Sequence, residues 1–222
     1  MTGPRPSPAK AATPRIAYRG EADALAALVV EAFLPLPVNE WLVEDDTDRT
    51  FVLLDYFSIL IDHALRHGVV QVIDGSHAPA AVAAWLTPAS PSEPANYAAR
   101  RRAAAGVWTD RFELLDDALA GVHLADHHHL VMLATRTGQQ NQGPGSALLA
   151  HRLAELDRRD EPACLSAASP RSVPFYTRHG FVPYAAAITV APQPNQAMTP
   201  LRRPPLRSLP AGAQGRRPRR RP

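Results

Sequence analysis

"TRTGQQNQGPGSALLAHRLAEL", Thr135 to Leu156, joins the end of an apolar run to an amphipathic helix through two glycines placed two residues apart. Leu148, Leu149, Leu153 and Leu156 fall on one side of a helix that the pattern predicts over Gly143 to Arg159. The preceding "HHHLVMLATRT" reads as a strand. The first turn of a helix leaves backbone N–H groups unpaired and pointing along the axis, where the helix dipole also favours negative charge. Gly143 and Gly145 permit positive φ and close backbone approach, and Pro144 suits a first-turn position while giving up one amide donor. A strand, such a turn and a helix in series can hold a phosphate. A turn that merely connects two elements has the same local signature.

Outward from this unit, a strand is expected at Arg15 to Tyr18 and a helix over Ala22 to Phe33, ended by Pro35 and Pro37. "WLVEDDTDRT" reads as a polar connection with Asp48 as N-cap to the apolar helix "FVLLDYFSILIDHALRHG", which Gly68 stops. "VVQVID" and "AAVAAWL" read as an antiparallel hairpin, followed by helices over Tyr97 to Ala105 and Thr109 to Leu119. After the Gly143 helix come a strand at "ACLSAA", a short helix in "SVPFYTRHG" and last strands in "YAAAITVA" and "NQAMTPL". The order predicts an α/β fold with a sheet of mixed direction, antiparallel early and parallel through the central crossover.

A chain of 222 residues, 45% hydrophobic, is enough for one substantial core. The expected organisation is a disordered leader at 1–13, one domain over 14–201 and a disordered Arg/Pro-rich tail at 202–222. The leader holds no continuous apolar stretch of the signal-peptide kind, and no run approaches a membrane span. Cys164 is the only cysteine, which excludes an internal disulfide and suits a cytoplasmic location. The net charge of +3 is set by eight arginines from Arg202 onward; without them 16 basic residues face 21 acidic ones, a balance of −5. The basic tail lacks interleaved aromatics for base stacking, so nucleic acid is not the expected partner; if it were, affinity would fall steeply with salt.

Gln140-Asn141-Gln142-Gly143-Pro144-Gly145 fits Gln/Arg-x-x-Gly-x-Gly/Ala and resembles the acetyl-coenzyme A pyrophosphate loop of the GNAT superfamily of N-acetyltransferases. "SPRSVPFYTRHGF", Ser169 to Phe181, resembles that superfamily's segment in which a short helix presents a tyrosine, and is most similar to the puromycin N-acetyltransferase branch. "EAFLPLPVNEWLVEDDTDR", "LRHGVV" and "AAWLTP" also look like that branch, so the resemblance spans roughly Arg15 to Thr199. It implies a GNAT fold, in which a mostly antiparallel sheet has a splayed central parallel pair and helices on its faces. It implies acetyl-coenzyme A as cosubstrate, bound at Gln140 to Ser146, with pantetheine in the seam and main-chain contacts from Leu133, Ala134 and Thr135. Tyr176 matches the tyrosine that protonates the departing thiolate, a role suited to a phenol with an ordinary pKa near ~10.

Two positions depart from that branch. Ser166 stands where relatives often carry a glutamate, and Ser172 replaces an asparagine that often contacts the coenzyme. The first change removes a commonly assumed base, yet an ammonium with pKa near ~10 must still lose a proton before attack. "ADHHHL" offers substitutes: strand alternation puts His127 and His129 on one side and His128 on the other; a water chain is the alternative. Adjacent histidines on a strand diverge, so a zinc site is not expected. "EDDTD" at Glu44 to Asp48 could attract a cationic amine or simply be a solvated turn, and Trp41, Tyr56, Phe57, Trp85 and Trp108 could be pocket walls or core. With no cysteine nucleophile suitably placed, direct attack by the primary amine of a small molecule, such as an antibiotic or natural-product amine, is the expected reaction. A protein or peptide amine as acceptor, or a coenzyme-A-binding module without catalysis, are the alternatives. A monomer or a homodimer is compatible with the sequence.

Overall fold

The computed structural model describes residues 13–190 and 197–208. The chain enters as strand β1 (Arg15–Ile16) and helix α1 (Ala22–Phe33), then α2 (Pro37–Leu42) and α3 (Asp46–His67). Pro37 does not merely end α1: it occupies the first turn of α2, where a missing N–H is tolerated. The N-cap of α3 is Asp45 rather than Asp48, its carboxylate accepting from the Thr47 and Asp48 amides at 2.8 and 3.0 Å. Asp48 then lies in the first turn, where its charge favours the helix dipole.

The hairpin of β2 (Val69–Asp74) and β3 (Pro79–Leu86) follows, with α4 (Tyr97–Ala105) and α5 (Thr109–Ala120) leading to β4 (His128–Thr135). The crossover α6 (Pro144–Arg159) returns the chain to β5 (Ala163–Ala167), and α7 (Val173–Thr177), β6 (Val182–Pro183) and β7 (Thr199–Arg203) complete the domain. The seven strands lie in one sheet in the order β1-β2-β3-β4-β5-β7-β6. Every pairing is antiparallel except that of β4 with β5. Leu148, Leu149, Leu153 and Leu156 of α6 are buried against one face of the sheet, each stabilising the fold by about 1.5–3 kcal/mol. Helices α1, α3 and α5 pack on the other face.

The parallel pair is short. Ladder partners are His128 with Ala163 and His129 with Cys164, and beyond them β4 and β5 part. A bulge accompanies the parting: opposite β3, Ala84 pairs with Met132 but Trp85 with Leu130, leaving Val131 as the extra residue. A bulge bends its strand and reverses side-chain parity beyond it. Accordingly Leu130 and Leu133 pack into the core beside α6, while Val131 and Met132 pack together on the α1/α3/α5 side.

Two expectations near the end of the chain are corrected. Over its described residues, 184–190, "YAAAITVA" forms no continuous strand: Ile188 alone bridges Met198, and before it Val182 pairs with Arg202. Five residues between these pairs on one side thus oppose three on the other, and the register slips. The last strand reaches Arg203, past the expected boundary at 201. Arg203 ion-pairs with Asp157 at 2.5 Å and donates to the His179 carbonyl at 3.1 Å, so Arg202 and Arg203 belong to the sheet rather than to the tail. Most of the expected leader and tail lie outside the described residues. Among the described residues, no helix is long and apolar enough to cross a membrane.

Candidate active site

A single cavity of about 550 Å³ is lined by the first turn of α6, by the seam where β4 and β5 part, and by α1, α2, α3 and α5. At its α6 end, Gly143 is the helix N-cap with φ of 100°, a left-handed backbone that L side chains rarely adopt. Asn141 shares that region at φ 62°, which its short polar side chain tolerates. Gly145 fits because the helix start approaches β4: a Cβ there would stand 3.3 Å from Thr135 Oγ1. Ala147 N already bonds the Gly143 carbonyl at 2.9 Å, whereas the Gly145 and Ser146 amides have no acceptor among the described residues. Unpaired amides at a dipole-positive end suit an anion.

The seam comes next. From Leu130 to Thr135, the β5-facing edge of β4 has no strand partner among the described residues. Leu133, Ala134 and Thr135 line the cavity there, together with Gln140, Asn141, Gly143, Pro144, Gly145, Ser146 and Ser172. Ser172 also donates its hydroxyl proton to the Ser169 carbonyl at 2.8 Å, leaving only its lone pairs for a ligand. Gln142 is not brought to the cavity. Its amide donates back to the Gly138 carbonyl at 2.7 Å, bracing the loop instead.

Tyr176 lines the cavity from α7, with its ring edge-on to Phe175 and Phe181. Burial raises its phenol well above the usual value, so it keeps its proton at neutral pH. His129 lines the same cavity from β4. Burial, reinforced by the His123 ring 5.7 Å away, pulls His129 down to about 4, so it is a neutral imidazole at pH 7. His129 also borders a second pocket of about 20 Å³ with His123, Ser166 and Tyr184.

His127, expected to share the cleft with His129, does not line it. Its amide bonds Leu124 O at 3.1 Å in a turn, so strand alternation starts only at His128. His128 faces the α6 side, where it meets Glu161 at 2.9 Å and Arg152 at 3.3 Å. The acidic run after α2 is held by structural partners: Asp45 caps α3, Asp46 pairs with Arg49 and Glu44 with Arg111. Of the five aromatics in question, Tyr56 and Phe57 are pocket walls, Trp85 is fully buried core, and Trp41 and Trp108 both stack on Arg111.

Three lining or bracing residues were not read from the sequence. Arg178, just past α7, is the one fixed charge among the described lining residues. Asn39, from α2, is buried yet lines the cavity. Glu31, near the end of α1, reaches across to accept from Arg136 Nη1 and from the Thr137 amide, both at 2.8 Å, pinning the start of the glycine loop.

Residues 95–192 match the family model of the acetyltransferase (GNAT) domain. In structure the chain is similar to the histone acetyltransferase HPA2 and related acetyltransferase of Corynebacterium glutamicum, with a TM-score of 0.62 and 22% identity over 90% of this chain and 98% of that one. A GCN5-related N-acetyltransferase of Rhodopseudomonas palustris gives a TM-score of 0.56 at 13% identity, covering 88% of this chain and 96% of that one. An N-acetyltransferase of Staphylococcus aureus gives 0.52 at 12% identity, covering 86% and 100%. Over residues 95–192 the chain therefore matches the acetyltransferase (GNAT) domain, set in a GNAT fold that continues through α1 to β3 and closes with β7.

Proposed function

We propose that the protein is an N-acetyltransferase that moves the acetyl group of acetyl-coenzyme A to the primary amine of a small molecule by direct attack. The observation that carries this reading is continuity: the unpaired amides of α6, the open edge of β4 and the side chains of Tyr176 and His129 all border one cavity. The pyrophosphate takes the Gly145 and Ser146 amides, with Arg178 as the counter-charge, and the pantetheine arm pairs with β4 as an added strand would. A main-chain N–H among Leu133, Ala134 and Thr135 stabilises the oxyanion as the thioester carbon becomes tetrahedral.

The amine nitrogen attacks that carbon, the C–S bond breaks, and Tyr176 gives its proton to the leaving sulfur. His129 accepts the proton shed by the amine. The 20 Å³ pocket behind it has room for one water and leads to the exposed His123, which offers that proton a way out. The likeness of the Tyr176 segment to puromycin N-acetyltransferases supports an antibiotic or natural-product amine as acceptor, and a single free thiol supports a cytoplasmic location.

Calorimetry with coenzyme A and acetyl-coenzyme A, followed by thiol release with amines, tests the reading. Binding of both and turnover of an amine are expected; no heat with either ligand would overturn it. The lack of a carboxylate among the described lining residues favours one other reading, a coenzyme-A-binding module without catalysis. Binding without thiol release across the panel would select it.

A further inference from the structure

The part of the cavity bounded by α1, α2, α3 and α5 is chemically unlike the part at α6. Its walls include Phe33 of α1, Leu42 of α2, Phe57 and Leu60 of α3, and Leu115 and Leu119 of α5. Among the described residues, no Asp, Glu or Lys lines any part of the cavity. The segments outside the described residues, 1–12, 191–196 and 209–222, contain no Asp or Glu side chain. The acids behind the walls are engaged elsewhere: Asp116 by Tyr97 and Arg101, Glu31 by Arg136 and the Thr137 amide. A second positive charge on the acceptor would therefore be buried without a counter-ion, which is strongly unfavourable.

One polar group interrupts the apolar surface. Asn39 is only 3% exposed, and its Nδ2 donates to the Phe33 carbonyl at 2.8 Å. That bond fixes the amide's orientation and leaves Oδ1, without a hydrogen-bond partner among the described residues, as an acceptor on a residue that lines the chamber. The Tyr56 hydroxyl is already committed to Asp116 and Tyr97.

We infer that the acceptor is a monoamine on an apolar body, alkyl or aryl, and that polyamines and lysine-bearing peptides are rejected. The inference rests on the acetyl-transfer reading above and names its acceptor class. Apolar contact supplies the affinity, and the amine enters uncharged because nothing in the chamber stabilises its ammonium.

The test uses the full chain and reads thiol release with propylamine through heptylamine, phenethylamine, 1,6-diaminohexane, spermidine and a lysine-containing peptide, alongside acetyl-coenzyme A calorimetry. In the alkyl series kcat/KM should rise roughly fourfold per methylene until the chamber is full. Heptylamine should exceed its near-isostere 1,6-diaminohexane by on the order of 100-fold, since the second ammonium has no counter-ion among the described lining residues. Equal or better turnover of the diamine, spermidine or peptide overturns the acceptor class while leaving acetyl transfer intact. Binding of acetyl-coenzyme A with no amine turned over overturns the acceptor class together with catalysis, and no binding removes the proposed function itself. Asn39→Asp adds a carboxylate with little change in shape and should narrow the heptylamine-to-diaminohexane ratio at least tenfold. The wild-type ranking decides the inference whether or not that variant folds.

Discussion

The two ends of the cavity are made differently. At α6 the surface is mostly main chain: two glycines, the Gly145 and Ser146 amides and the open edge of β4. Elsewhere it is side chains from α1, α2, α3 and α5, elements separated by up to about ninety residues of chain. Main-chain recognition suits a ligand whose binding groups are invariant, because amides and strand edges present the same donors whatever residue carries them. Side-chain recognition suits a partner that differs from one protein to the next. Tyr176 and His129 belong to neither end in this sense. Both border the same cavity, and the chemistry proposed for them is where the contrast can be broken most sharply.

The largest effect is expected for Tyr176→Phe. With Tyr176 as the proposed proton donor, its loss should lower kcat by about 10² to 10³, while calorimetry gives an acetyl-coenzyme A Kd within about twofold of wild type. A loss of affinity in place of a loss of turnover would assign Tyr176 to ligand binding. His129→Gln should lower kcat by about 10², again without changing that Kd. The sign of its pH dependence follows from burial. With His129 held near 4, the base form is present throughout the neutral range and is lost only as pH falls through about 4. Between pH 6 and 8, kcat/KM for an alkylamine should therefore rise about tenfold per unit with the amine's own deprotonation and show no inflection near 6.5. An inflection there, abolished by His129→Gln, would mean that the imidazole titrates as if exposed.

The same contrast explains what the amino-acid sequence discloses. Gly143, Gly145 and the leucines of α6 are legible because turn conformation, helix start and helical face are local properties with fixed spacings. The hairpin and the long apolar α3 are legible for the same reason. The Val131 bulge is not, because it exists only in the pairing of β4 with β3, some fifty residues earlier. Since the bulge reverses parity, extrapolating alternation along "HHHLVMLAT" cannot place every side chain, and His127 fails for the further reason that it sits in a turn. Asn39 and Glu31 carry no local signal, because their partners lie six and about a hundred residues away. Eight arginines after position 201 read as a tail by composition, yet Arg203 has Asp157 waiting for it on α6, a contact no composition measure contains.

Smaller effects test the α6 end. Gly143→Val forces a β-branched residue to φ of 100°, so the turn must either strain by about 1–3 kcal/mol or re-form. Either outcome disturbs the amides of the first turn, and the acetyl-coenzyme A Kd should rise roughly tenfold, with the KM of an apolar amine little changed once acetyl-coenzyme A saturates.

Glu31→Ala should act in the same direction but more weakly. The Glu31–Arg136 pair is about one-third exposed on both sides, and such pairs contribute at most about 1 kcal/mol, so a roughly threefold rise in Kd is the expected scale. The effect must pass through the loop. Glu31 is one residue from Ala32 and two from Phe33, both of which line the acceptor end, so the substitution could register at either end of the cavity. If the carboxylate serves to hold Thr137 and Arg136, the change appears in coenzyme binding alone. If instead the KM of heptylamine moves while calorimetry of acetyl-coenzyme A does not, α1 is tuning the side-chain wall. The two ends then share a mechanical element, and the division between main-chain and side-chain recognition is less complete than the lining residues suggest.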